Sequence, residues 1–113
     1  ILSDFAINRM TDVVKNLVVN EEKMRENLHK TKGLYNSQRV LLKLVEKGLT
    51  RESAYRIVQK AAMISWEKGE EFIELLKDEE KVKKHISEEE LKEIFDLKFH
   101  TRNIDRIYKK VLK

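Results

Sequence analysis

Cysteine and proline are both absent from this chain, and glycine occurs only three times. Without cysteine there can be no disulfide, no thiolate metal site and no cysteine nucleophile. Such a chain fits a reducing compartment, so a cytoplasmic location is expected. Proline breaks helices and marks turns, and its absence points to a mostly helical chain with few sharp corners. No apolar run approaches the length needed to cross a bilayer, and no basic-then-apolar leader is visible. No membrane partner is therefore expected. Charge of one sign is also scarce: 24 basic and 20 acidic side chains leave a net charge of only +4. Mixed charge of this kind reads as solvated helix faces. The first residue is Ile1 and not methionine, which suggests a fragment or a processed product.

What is present is a balance of 41% hydrophobic and 39% charged residues over 113 positions, enough for one domain with a modest core. Leu2, Phe5, Ala6, Met10, Val13, Val14 and Leu17 recur at helical spacing, and Val18 and Val19 make the end of this run apolar nearly all round. A helix of that kind needs a partner on more than one side. Asn20, followed by Glu21 and Glu22, reads as the N-cap of a second helix. Gly33 breaks the chain before Leu34, Leu41, Leu42, Leu44 and Val45 build an apolar face. Gly48 is a left-handed helix stop, and Thr50 caps the next helix. Ala54, Ile57, Val58, Ala61, Ala62 and Trp66 are expected on the inner face of that helix, which Gly69 ends. Phe72, Ile73, Leu75 and Leu76 form a short apolar segment. Residues 81–85 read as a surface turn of helix, and Ser87 with Glu90 as a capping box ahead of Leu91, Ile94 and Phe95. Ile104, Ile107, Tyr108, Val111 and Leu112 mark a last amphipathic helix. No segment alternates as a strand would.

Catalytic or ligating sets are hard to find. His29, His85 and His100 lie far apart without ligand-spaced partners, so neither a metal nor another cofactor is expected. The acidic pairs sit at or near helix starts, where the helix dipole accounts for them. Ser37, Gln38 and Arg39 form a polar group inside an apolar helix. No nucleophile-elbow glycines flank Ser37, and Gln38 is expected to face the core as a hydrogen-bonded amide. Ser37 and Arg39 are the candidate substrate-binding residues, because a guanidinium suits phosphate or carboxylate. Arg102, Arg106, Lys109 and Lys113 make a basic stripe, but Asp105 interrupts it and no exposed aromatic is expected among these cations. It reads as a solvated face and not as a nucleic-acid surface.

The order of motifs adds a resemblance. Thr31-Lys-Gly-Leu34, Ser37-Gln-Arg-Val-Leu-Leu42, Glu46-Lys-Gly-Leu-Thr-Arg-Glu52, Ala54-Tyr55 and Val58-Gln59 follow one another as they do in the C-terminal domain of the adenylosuccinate lyase family. Ala62-Met63 with Trp66, Glu89-Glu90-Leu91, Phe95-Asp96 and Ile104-Asp105 extend the similarity. Tyr35-Asn36 departs from it, standing where a more apolar pair is typical, and Leu97 follows Asp96 where proline is common.

The resemblance implies an all-α fold: residues 1–19 as the end of a central bundle helix and residues 20–113 as a compact multi-helix C-terminal domain. It implies a homotetramer of the fumarase/aspartase superfamily, self-associating through bundle helices. It implies a purine-nucleotide substrate, with fumarate eliminated from adenylosuccinate to give AMP and from the succinyl-carboxamide ribotide. In that family a serine on a glycine-rich loop is the base and a histidine the acid. Neither motif occurs in this sequence, so no catalytic residue can be assigned and the chain alone should be inactive. A stand-alone helical interaction module, with residues 13–19 as its partner surface, is the alternative.

Overall fold

Left-handed residues punctuate a run of helices in the computed structural model, which describes residues 1–112. The elements are α1 (Leu2–Lys15), α2 (Glu21–His29), a 3₁₀ turn (Leu34–Asn36), α3 (Ser37–Glu46), α4 (Arg51–Lys68), α5 (Phe72–Asp78), α6 (Glu80–His85), α7 (Glu88–Phe95), α8 (Lys98–Thr101) and α9 (Ile104–Val111). Among the described residues there is no strand, so the all-α expectation holds. Lys113, the last member of the basic stripe, lies outside the described residues.

Local chemistry explains most of the boundaries. Asn20 accepts the amide of Lys23 and starts α2. Thr50 accepts the amide of Ser53 and starts α4. Ser87 and Glu90 form a reciprocal capping box at α7. Each such cap satisfies amides that the first helical turn leaves without partners. Gly69 closes α4 in the left-handed conformation. Gly33 is also left-handed, with φ 83°, and an ideal Cβ there would lie 2.9 Å from Cε1 of Phe95. Both the backbone angle and the ring require glycine at this turn.

The core lies between α3, α4, α5, α6 and α7. Val40 and Leu44 from α3, Ala54, Ile57, Val58 and Ala61 from α4, Phe72 and Leu76 from α5, and Leu91 and Ile94 from α7 converge there with Val82 and Ile86. Burying a side chain such as Phe72 or Leu44 contributes about 1.5–3 kcal/mol each. The small residues Ala54 and Ala61 let α3 and α4 approach closely. The entry segment is fixed to this core by the Phe72 amide, which donates to the Lys32 carbonyl at 3.0 Å, and by the Lys32–Glu71 ion pair at 3.3 Å.

The two ends behave differently. Neither α1 nor α9 buries a single residue. The radius of gyration is 19.9 Å, against about 13 Å for a compact domain of this length. Helix α1 stops at Lys15, short of the apolar residues 17–19, which continue without helical structure.

Three expectations need correction. Gln38 is exposed, not core-facing. The buried side of α3 runs through Val40 and Leu44, and the apolar Leu42 and Val45 share the solvent side with Gln38. Trp66 is 76% exposed, and Ser65 takes the inner position instead. Its Oγ donates to the Glu70 carbonyl at 2.7 Å, which satisfies a buried hydroxyl and holds the turn after α4. Finally, Tyr108 stands exposed among the cations of α9, so the basic stripe does carry an aromatic.

Candidate functional site

Ser37 and Arg39 lie two residues apart on α3, which places them roughly 200° around the helix from each other. They serve two separate hollows. Arg39 lies on the side of α7 and α8, in a groove of about 440 Å³ with Glu90, Ile94 and Phe99 in its walls. Ser37 lies on the side of α4, in a groove of about 410 Å³ with Gln38, Tyr55 and Gln59.

The Arg39 guanidinium is already heavily engaged. Its Nη1 donates to the Ile94 carbonyl, and its Nη2 reaches the Glu93 carbonyl at 3.5 Å. These are acceptors in the last turn of α7, where the helix dipole favours a cation, and the Glu93 carbonyl also accepts the Asp96 amide at 3.3 Å. The same guanidinium sits 3.7 Å from the centroid of the Phe99 ring, and that of Arg102 sits 3.9 Å from the same centroid. Cations over an aromatic face are attracted by its quadrupole. Burial lowers the Arg39 pKa from its ordinary value, the Arg102 charge lowers it further, and Asp96 acts in the opposite direction. Arg39 thus joins α3 to the end of α7 and to α8.

Next to this cluster is a residue that the sequence flagged only as a departure. Asn36 is completely buried. Its Oδ1 lies 3.4 Å from Nε2 of His100, and its Nδ2 has no partner. A buried, unpaired amide donor costs about 1–3 kcal/mol. His100 packs edge-on against both Tyr35 and Phe99. The unusual Tyr35-Asn36 pair therefore meets α8 as a unit.

On the other side of α3, the groove toward α4 carries residues that entered the sequence reading only as letters of a motif. Arg51, Tyr55 and Gln59 recur every four residues along α4 and line it together with Ser37 and Gln38. The signal was available in the sequence: this arc of α4 has no lysine, aspartate or glutamate, while Glu52, Arg56 and Lys60 fall on the next face. Among the described residues, no three histidine, aspartate or glutamate side chains gather as a metal site would require. Among the described residues, no helix is long and apolar enough to cross a membrane.

Helices in this order, with their caps and the motif residues on α3 and α4, make an all-α domain. The chain belongs to the adenylosuccinate lyase C-terminus family, whose model matches residues 33–111. It is 48% identical over 109 residues to the adenylosuccinate lyase of Thermotoga maritima, covering 96% of this chain and 25% of that protein. It is 44% identical to the enzyme of Bacillus subtilis, with the same coverage, and 42% identical to that of Helicobacter pylori, covering all of this chain and 28% of the relative. The chain thus spans about a quarter of the length of the relatives it matches.

Proposed function

We propose that this chain serves as the C-terminal domain of an enzyme that eliminates fumarate from adenylosuccinate to give AMP, and from the succinyl-carboxamide ribotide. The observation that carries the reading is the match over residues 33–111, supported by 42–48% identity to enzymes named adenylosuccinate lyase. The base and acid of that reaction would come from segments outside these residues, since both must reach the substrate within hydrogen-bond distance and this chain carries neither motif. Its own contribution is a packed helical body, α3 to α7, attached to α1.

In this reading α1 is the end of a central bundle helix, and the assembly is a homotetramer. Support comes from the uncovered apolar side chains Phe5, Ile7, Met10, Val13 and Val14, which suit helix–helix packing on more than one side. Of the substrate-binding candidates, Ser37 lines an open groove, whereas Arg39 would have to give up carbonyl and aromatic contacts to meet a ligand.

The test joins this chain to the segment encoded upstream of Ile1. The joined protein should release fumarate from adenylosuccinate, and the 113-residue chain alone should not. An upstream segment without a serine-bearing glycine-rich loop and a histidine, or turnover by the chain alone, contradicts the reading. Sedimentation should show the chain self-associating as concentration rises, and a strict monomer would remove the role given to α1.

A further inference from the structure

We propose that the groove between α3 and α4 is a binding site for a small organic anion: a flat heterocycle bearing one phosphate or carboxylate group. The proposal stands on this groove and does not depend on the lyase reading.

The first observation is the kind of side chain that lines it. The protein is 39% charged, yet Arg51 is the only charged residue of this groove. Both glutamines of the chain, Gln38 and Gln59, stand on it, one from each helix. Tyr55, half-exposed, lines the same groove. Leu41 and Ala62 supply apolar surface. An apolar hollow with a few converging polar groups is the usual make-up of a small-molecule site, and about 410 Å³ is within the usual size range.

The second observation is that these polar groups are free. On the next face of α4, Arg56 pairs with Glu52 at 2.6 Å and Lys60 with Glu79 at 3.4 Å. Arg51 has no such partner among the described residues, and its guanidinium is available for a bidentate oxyanion. Arg39, on the opposite side of α3, shows the contrast, because carbonyls and Phe99 occupy it. Each glutamine offers both a donor and an acceptor to a ring edge, and the Tyr55 face offers a stacking surface. One cation matches one anionic group, and the two amides match a heteroatom-rich ring.

Trp66 makes the proposal measurable. It is the only tryptophan and lies one turn beyond Ala62 on the same face of α4. Its fluorescence should be followed in the 113-residue chain during titration with AMP, with orotate and with inorganic phosphate. A saturable change with AMP or orotate, at concentrations where phosphate alone has no effect, supports the site. AMP and orotate distinguish a phosphate from a carboxylate as the bound group. Arg51→Ala and Arg51→Gln should each weaken binding at least about tenfold, given the strength of charge-assisted bonds. Tyr55→Ala should also weaken it, and Arg56→Ala, on the paired face, should not. These side chains are exposed, so far-UV circular dichroism should be unchanged in all four variants. Absence of a saturable signal with both AMP and orotate overturns the proposal. So does binding that is indifferent to Arg51, or a Trp66 signal that follows protein concentration and not ligand, which would mark the groove as a contact between copies.

Discussion

Helices α4 and α1 are both amphipathic in sequence, and they have opposite fates in the structure. Helix α4 buries Ala54, Ile57, Val58, Ala61 and Ser65 against its neighbours. Helix α1 carries as rich an apolar pattern and buries nothing. Periodicity shows that a helix has a face to hide, but it does not show what hides it. In the middle of this chain the partner is local, because short connections fold α3 to α7 onto one another. At the ends, no other element among the described residues buries the apolar stripes of α1 and α9.

The sharpest way to break this contrast is to remove apolar volume from each region. Phe72→Ala should cost about 3–5 kcal/mol of stability, because it empties a fully enclosed position. Val14→Ala on α1 should stay within about 0.5 kcal/mol. Urea unfolding of both variants measures the difference, and equal costs would mean that α1 is packed in solution. A smaller effect separates two glycines. Gly33→Ala combines a left-handed backbone with a clash on Phe95 and should cost about 1–3 kcal/mol. Gly48 has φ 104° but open space around it, so Gly48→Ala should cost only the backbone strain, about 1 kcal/mol. Similar midpoints for the two alanine variants would show that the ring yields freely.

The smallest effect concerns pH. Glu90 is held below the ordinary carboxylate range, first by the hydrogen bond from Lys47 and then by the Ser87 amide. The Lys47 ammonium is raised by the same bond, 2.6 Å long. A carboxylate with a depressed folded pKa stabilises fully above its unfolded pKa, and that contribution is lost as pH falls through the folded value. A raised lysine contributes below its unfolded pKa and loses the contribution as pH rises through the folded one. The link between α3 and α7 should therefore weaken at both extremes, with a plateau across neutral pH. Lys47 is exposed and Glu90 is half-buried at the surface, so the change should be slight. Glu90→Gln should flatten the acid limb of the stability profile, and an unchanged limb would remove Glu90 from this role.

The caps and stops were legible residue by residue. Asn20, Gly48, Thr50, Gly69 and the Ser87/Glu90 box all act as their types dictate. The errors came where apolarity stood in for position. Helical spacing from Ala62 points Trp66 inward, but the buried position belongs to the small Ser65, which finds its partner only after the chain turns at Gly69. Spacing to Leu41 and Leu42 points Gln38 inward, but Leu42 lies on the solvent side. The candidate site divided for a related reason. Ser37 and Arg39 are neighbours in sequence, and a helix sends residues two apart to nearly opposite sides. The acceptors that occupy Arg39 lie more than fifty positions away and leave no local trace.

The attachment of Lys32 to Phe72 has a mechanical meaning. The Phe72–Lys32 hydrogen bond and the ion pair to Glu71 act beside the largest fully buried side chain of the core. The segment leading in from α2 thus works as a lever with its fulcrum at the core, and not as a slack tether. A displacement of the entry helices would be felt first at α5 and, through Phe95 against Gly33 and Phe72, at the end of α7.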